Sequence, residues 1–453
     1  MIITLYKNKG DRAQCGNSRG IALLSTAGKL LAKILLKRLV ASISEDILPE
    51  SQCGFRSNRS TSDMIFSARQ LLEKSREQRQ DLYMAFVDLS KAFDSVDRDL
   101  LWKILRKCGC PARFVGLIRC LHDGMSVRIR IGEDLSEPFA VSRGVKQGCV
   151  LAPVLFNIYV QCITRLLAKV LDKSCQITLN YRMDRNLFDS RKLKSKTKLS
   201  STTILELQYA DDCALVADSH ATLQTVLTHT SEFYQKLGLC INIGKTEFLK
   251  YTPAPPANTV NLVIDRLPIS EVQHFKYLGS RISADCQLDD EINHRIQQAH
   301  CAFGRLRKRV FDNRNIKLHT KVSVYNAVVL STLLYGSESW TLYRRHHRAM
   351  DKFHMTCLRR LLKITWRDKV PNTTILERTR SRTIETIILQ SQLRWLGHII
   401  RMSDDRLPKQ LLYGELSRGT RAVGAPSRRY RDSVLKTLKL CEIRPQDLEA
   451  LAA

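Results

Sequence analysis

An α+β fold, with its strands gathered into an antiparallel sheet and a mainly helical C-terminal part, is predicted by three observations. Leu82 to Leu89 is an apolar run of strand length that ends on a carboxylate, Asp88. Two further apolar strand runs flank Ala210-Asp211-Asp212, the pattern of a hairpin with acids at its tip. From Asp289 onward the apolar residues recur at helical rather than alternating spacing, as expected for helices packed on one face.

In chain order, Ile2 to Tyr6 is apolar enough for a strand, and Ile21 to Val40 carries a helical period with Lys29, Lys33, Lys37 and Arg38 between its apolar positions. Pro49 interrupts the chain, and Thr61 to Arg79 is an amphipathic helix entered through Ser60 or Ser62 as its cap. After the Leu82–Leu89 run, Asp97 to Cys108 is a helix stopped by Gly109 and Pro111, and Asp94, Asp97 and Asp99 read as caps or solvated positions. Val127 to Ile131 and Phe139 to Val141 read as strands joined through Gly132, Glu133 and Asp134. A helix from Pro153 to Val170 has proline at its start, where its missing N–H has no cost. A basic segment spans 183 to 200, with Arg191-Lys192-Leu193-Lys194 at its centre. Leu223 to Leu237 is a helix closed by Gly238, Pro253-Ala254-Pro255-Pro256 reads as a linker, and a short β unit ends near Ile282. Arg418 to Arg431 reads as a basic loop. Trp340, Trp366 and Trp395 are read as core residues, with base-stacking as the alternative, and the His346-His347 pair as surface.

Charge narrows the class of partner. Lys and Arg number 73 against 44 Asp and Glu, a net charge of +29. Residues 281 to 453 hold 33 of the cations against 17 of the acids. Such an excess favours a polyanion, because every neutralised phosphate releases condensed counterions. The 14 cysteines form no C-x-x-C pair and no zinc-like set with histidine. They sit among apolar residues, as in Leu239-Cys240-Ile241, which predicts reduced thiols in an intracellular compartment. No apolar run reaches the about 20 residues that cross a bilayer, and the N-terminus is too soon polar for a signal peptide.

The carboxylates carry the chemistry. An unpaired buried carboxylate costs several kcal/mol, so Asp88 at the end of an apolar strand requires a cation or donors. Asp211 and Asp212 repel each other unless a divalent ion lies between them. Two acids at a hairpin tip, facing a third on another strand, suit a pair of Mg²⁺ ions about 3.5–4 Å apart. Mg²⁺ prefers oxygen ligands, which fits carboxylates without histidine. The plain alternative is an Asp-Asp pair serving only as a turn.

Phe86-Val87-Asp88-Leu89-Ser90-Lys91-Ala92-Phe93-Asp94 followed by Tyr209-Ala210-Asp211-Asp212 resembles motifs A and C of reverse transcriptases. The remaining motifs are collinear. Asn17 to Ser25 and Gln52-Cys53-Gly54-Phe55-Arg56 to Thr61 resemble the two fingers motifs. Gly144-Val145-Lys146-Gln147-Gly148 to Pro153 resembles motif B, Gly238 to Glu247 motif D, and Phe275-Lys276-Tyr277-Leu278-Gly279 motif E, the primer grip. Tyr335 to Trp340 and Leu393 to Met402 are similar to the region after the polymerase core in LINE-type retrotransposons, which lack long terminal repeats.

The resemblance implies a right-hand polymerase fold: fingers and palm over 1–285 (fingers about 1–80 and 111–140, palm about 81–110 and 141–285), a helical thumb and connection over 286–400, and a basic C-terminal extension over 401–453. It implies an RNA-directed DNA polymerase working with Mg²⁺, or Mn²⁺ as a substitute, on an RNA template, a DNA primer and dNTPs. Asp88, Asp211 and Asp212 would hold the ions, with the Leu89 carbonyl adding an oxygen. Phe93 would be the steric gate against a ribose 2′-hydroxyl, or else a core Phe; Gln147 and Gly148 would lie beneath the incoming nucleotide. Arg19 and Arg56 are candidates for the triphosphate, with the template as the other option. Lys245 would protonate the leaving pyrophosphate, or be a surface lysine, and Phe275, Tyr277, Leu278 and Gly279 would form the primer grip. Arg305, Arg307, Lys308 and Arg309 would touch a heteroduplex backbone, or else form a solvated helix face. The chain carries no segment resembling the family's endonuclease, a C-terminal cysteine–histidine knuckle or an RNase H. A chain truncated at its N-terminus, needing a separate endonuclease for insertion, is therefore expected. Action on chromosomes would require the nucleus after synthesis in the cytoplasm. The alternative function is a catalytically inactive nucleic-acid-binding remnant.

Overall fold

Five strands form the sheet that organises the molecule, in the order Glu206–Tyr209, Asp212–Ala217, Leu82–Val87, Glu247–Tyr251, Ser270–Glu271. All neighbours are antiparallel except the last pair. The structure is a computed structural model and describes the whole chain except residues 9, 43–47, 184–186, 190–192, 194–197, 254–260, 422–423, 425–426 and 453. The centre of the basic segment, most of the Pro253–Pro256 linker and parts of the Arg418–Arg431 loop therefore lie outside the described residues.

The central strand Leu82–Val87 is buried along its whole length, and its alternation explains why. Tyr83, Ala85 and Val87, with Cys213, Leu215 and Ala217 beside them, join one core with Phe156, Tyr159, Leu223 and Val226 of the helices Ala152–Val170 and His220–Lys236. Met84 and Phe86, with Ala214 and Val216, face a second core with Met64, Ala68 and Leu71 of the helix Thr61–Gln78. A strand covered on both faces reads as a continuous apolar run. Each Val, Leu, Phe or Met among them contributes roughly 1.5–3 kcal/mol on burial.

Local signals account for several boundaries. Ser60 caps the Thr61–Gln78 helix through a reciprocal pair with Asp63. Asp97 caps Arg98–Lys107 by accepting the Leu100 N–H at 2.9 Å. The expected helix over Ile21 to Val40 begins later, at Thr26, and ends at Ser42. Its first residues are in the strand Ser18–Ala22, which pairs with Ile2–Tyr6, so sheet pairing overrides the helical period there. The Val127–Ile131 segment divides: Ser126–Val127 pairs with Phe139–Ala140, while Ile129–Ile131 turns back on Asp134–Leu135.

Beyond Asp289 the chain is mainly helical, as expected. Helices Asp289–Leu306, Arg344–Leu362 and Ile384–Arg401 contribute to a third core around Phe303, Tyr325, Trp340 and Phe353. The C-terminal part is fastened to the rest. Gly414–Leu416 adds a strand to Ile177–Tyr181, which pairs in turn with Ser200–Ile204. Trp395 and Tyr430 pack edge-on against Phe66 of the Thr61–Gln78 helix. The buried Arg406 guanidinium lies 2.8 Å from Glu50 and 3.1 Å from Asp63. Trp340 and Trp395 are buried, but Trp366 is 81% exposed, contrary to its reading as core. His346 is also corrected: it is buried, with Nε2 3.2 Å from an Asp289 oxygen, because the start of its helix docks on the start of another. Among the described residues, no helix is long and apolar enough to cross a membrane.

Candidate active site

The register of the sheet assembles the acids. Tyr209 pairs with Asp212, leaving Ala210-Asp211 as a two-residue turn. Cys213 pairs with Val87 in the antiparallel ladder, so one step further Asp88 comes opposite Asp212. Two residues adjacent in sequence and one from over a hundred positions earlier thus meet at one end of a rigid sheet.

Their proximity couples them electrostatically. Asp211 and Asp212 remain open to solvent, but surrounding protein strips part of their hydration. That desolvation, followed by the charges of Asp211 and then Asp88, pushes Asp212 up to about 6. Asp211 is raised by the same partial burial and by Asp88, while the exposed Arg19 guanidinium pulls both acids down. Arg19 lies on the strand Ser18–Ala22, so the sheet that pairs this strand with Ile2–Tyr6 brings a cation toward the acids. Asp88 is turned toward Lys245, whose Nζ lies 3.6 Å from Oδ2, with both side chains largely in solvent. The Asp88 N–H donates to Thr246 Oγ1 at 3.3 Å, and its carbonyl accepts the Asn242 N–H at 2.8 Å. Among the described residues no three acids, histidines or cysteines are already drawn into one ion-holding cluster. The donor set itself, oxygen only and from three acids, is of the kind hard divalent cations favour.

The acid-bearing turn is clamped from behind by residues whose roles the sequence did not reveal. Gln52 Oε1 accepts the N–H groups of both Ala210 and Gly54 at 2.9 Å, and its Nε2 donates to the Ala210 carbonyl at 3.3 Å. Cys53 N donates to Gln208 O, and Gln208 N to Ser51 O. Asn157 Nδ2, from the helix Ala152–Val170, donates to the Gly54 carbonyl at 2.5 Å. Ala210 itself has a left-handed φ of 59°, a conformation unfavourable to residues with a Cβ. Gly54 fits because a Cβ there would lie 2.3 Å from the Ala210 nitrogen. Only the Gln-Cys-Gly spelling hinted at this loop; its docking partner is 158 residues away.

The other expected residues take distinct positions. Phe93 is half-buried and stacks on Phe156 with ring centres 4.6 Å apart, and its carbonyl accepts the Val145 N–H of the Gly144–Gly148 loop. Leu89 is buried and bridges to Ile241. Gln147 O accepts the Ala22 N–H at 2.7 Å, tying the loop that carries exposed Gly148 to the Arg19 strand. Arg56 is directed elsewhere than the acids: its guanidinium donates to Pro49 O and Gln52 O and lies 3.5 Å from Glu50. It braces the loop that holds Gly54. The hairpin His274–Tyr277 and Ser280–Ser283 turns through Leu278-Gly279. Phe275 stacks on Phe86 at 3.8 Å and Tyr277 donates to Leu207 O at 3.0 Å, so both aromatics anchor the hairpin to the sheet. The Leu278 carbonyl at its tip accepts from Tyr335 Oη at 2.8 Å.

Comparison with known proteins follows the same outline. The family model described as "Reverse transcriptase (RNA-dependent DNA polymerase)" matches residues 6–282, more than half of the chain. The Pol polyprotein of the type-2 retrotransposable element R2DM of Drosophila melanogaster is 26% identical over 330 residues, covering 70% of this chain and 28% of the relative. The transposon TX1 149 kDa protein of Xenopus laevis is 26% identical over 340 residues, 74% of this chain and 24% of the relative. The RNA-directed DNA polymerase of the mobile element jockey of Drosophila funebris is 23% identical over 377 residues, 80% and 37%. The chain thus spans about a quarter to somewhat over a third of the length of these relatives. Telomerase of Candida tropicalis in complex with a telomeric RNA fragment aligns with a TM-score of 0.40 at 14% identity, covering 86% of this chain and 56% of that one. On the family match the chain belongs to the reverse transcriptase family, and its similarity to the R2DM, TX1 and jockey proteins is consistent with the non-LTR, LINE type.

Proposed function

We propose that the chain is an RNA-directed DNA polymerase that extends a DNA primer on an RNA template with dNTPs. The observation that carries this reading is the convergence of Asp88, Asp211 and Asp212 at one end of the sheet, each within electrostatic reach of the others. Asp88, Asp211, Asp212 and the Leu89 carbonyl would hold two Mg²⁺ ions, with Mn²⁺ as a substitute. Such ions lower the pKa of a primer hydroxyl and stabilise a leaving pyrophosphate.

The chain's own residues supply position and charge. The Gln52 clamp fixes the turn that carries Asp211. Arg19 draws the triphosphate toward the acids, since a guanidinium binds phosphate through two parallel hydrogen bonds. Arg56 acts on the same site indirectly, by bracing the Gly54 loop. Lys245 delivers a proton to the pyrophosphate oxygen as the bond to it breaks, and its contact with Asp88 keeps it at the reacting end. Phe93, held by Phe156, presents its ring edge to the sugar and excludes a 2′-hydroxyl. Gln147 and Gly148 form the floor beneath the base pair. The Leu278-Gly279 tip meets the primer, with Phe275 and Tyr277 as its anchors. Arg305, Lys308 and Arg309 are exposed cations available to heteroduplex phosphates, while Arg307 also pairs with Asp312 at 3.1 Å. Action on chromosomal DNA would take place in the nucleus.

The test is primer extension on an RNA template with Mg²⁺. The double variant Asp211→Asn, Asp212→Asn should lose DNA synthesis while RNA binding persists. Synthesis retained in that variant would refute the proposal.

A further inference from the structure

Four tryptophans offer four large aromatic faces, and the fold buries three of them. Trp102 is 2% exposed, Trp340 0% and Trp395 7%, whereas Trp366 is 81% exposed. It is the most exposed large apolar side chain among the described residues. Its position is fixed rather than loose. The helix Arg344–Leu362 ends with Lys363 in a left-handed conformation, and Trp366–Asp368 forms a single tight turn directly after it. Asp368 Oδ2 accepts both the Thr365 N–H at 2.6 Å and the Thr365 hydroxyl at 2.8 Å, locking the turn from its polar side. The carboxylate is thereby occupied by the two Thr365 donors.

The surroundings of the ring are cationic. The Arg367 guanidinium lies 5.6 Å from the ring centre. Arg360, Lys363, Arg367, Lys369, Arg378, Arg380 and Arg382 are all exposed within 23 residues of chain, against the acids Asp368 and Glu377. An exposed indole on a rigid turn, rimmed by cations, has two complementary needs. The ring requires a flat, polarizable partner, and the rim requires negative charge at regular spacing. A nucleobase with its phosphate backbone supplies both. Duplex nucleic acid hides its base faces, so the partner is single-stranded.

We propose that Trp366 is a stacking platform for a base of single-stranded nucleic acid, with Lys363, Arg367 and Lys369 on the flanking phosphates. The site lies outside the family-matched segment 6–282 and uses none of the residues placed around the acids. Its success or failure is therefore readable separately from polymerase activity. An RNA template beyond the copied region and a single DNA strand present the same chemistry.

The full chain carries its own reporter, because only Trp366 is solvent-accessible enough to be quenched directly. Tryptophan emission and filter binding are followed while the protein is titrated with single-stranded RNA, single-stranded DNA, duplex RNA and inorganic polyphosphate. Single strands should quench the exposed emission, with the stronger of the RNA and DNA arms identifying the preferred strand. Polyphosphate should bind without quenching. Trp366→Ala should abolish the quenching and weaken single-strand binding about ten-fold, as expected for one stacked base. Trp366→Phe should restore most of the affinity, and both variants should keep the wild-type unfolding midpoint. Absence of quenching by any single strand, equal quenching by polyphosphate, or wild-type affinity in Trp366→Ala would overturn the proposal.

Discussion

Replacing Gly54 by Ala is the most informative single perturbation of the clamp. The new Cβ would lie 2.3 Å from the Ala210 nitrogen and 3.0 Å from its Cα, both backbone atoms. Ordinary contact begins near 3.4 Å, so the turn must retreat by about 1 Å. It cannot do so freely, because Gln52 holds the Ala210 amide and Asn157 holds the Gly54 carbonyl. Asp211 therefore shifts with Ala210. A misplacement of about 1 Å costs roughly 100-fold in rate when geometry governs the chemistry. The overpacking costs about 1–3 kcal/mol of stability. Single-turnover primer extension on an RNA template, with saturating dNTP, measures the rate apart from binding. The expected result is a drop of about two orders of magnitude, with template affinity unchanged. A rate within two-fold of the wild type would refute the claim that the loop sets the position of the turn.

Three further predictions address other parts. Phe93→Val should raise ribonucleotide incorporation relative to deoxynucleotide by about 10- to 100-fold, measured by competing rGTP against dGTP; unchanged discrimination would leave Phe93 as a packing residue only. Lys245→Ala should lower the rate of nucleotide addition by about 100-fold without altering template affinity, measured by rapid quench. His354 is buried, donating from one ring nitrogen to Arg382 O at 3.2 Å and receiving the Tyr325 hydroxyl on the other at 2.8 Å. Burial lowers it from 6.5 to about 4. Because the unfolded chain binds this proton first, the neutral ring stabilises the fold above about pH 6.5. That contribution, about 3 kcal/mol, disappears as pH falls to about 4. Urea unfolding across this range should show the loss, and His354→Gln should flatten it; an equally steep profile in the variant would contradict the assignment.

Which features were readable in the sequence follows from how local their causes are. The acids were legible because a strand buried on both faces has no other reason to end on Asp88, and because adjacent acids between apolar runs mark a hairpin. Asp97 and Ser60 were legible as caps, since a cap is decided within four residues. The Gly414–Leu416 strand was not, because its partner Ile177–Tyr181 lies over two hundred residues away and three residues carry no period. Ile21 and Ala22 were misread for a similar reason: their apolar character serves a ladder with Ile2 and Ile3, not the following helix. His346 gave no sign of burial because Asp289, its partner, belongs to another helix. Trp366 was misjudged by composition, which assigns indoles to cores; only the placement of the turn exposes it.

The central claim is that Asp88 acts with Asp211 and Asp212 as one divalent-ion site, although Asp88 is turned toward Lys245. Its most direct test is Mn²⁺ binding, followed by electron paramagnetic resonance with primer, template and dNTP present, in the wild type and in Asp88→Asn. The account predicts that Asp88→Asn loses tight Mn²⁺ binding and DNA synthesis together, as the Asp211→Asn, Asp212→Asn variant does. Wild-type ion binding and synthesis in Asp88→Asn would contradict it.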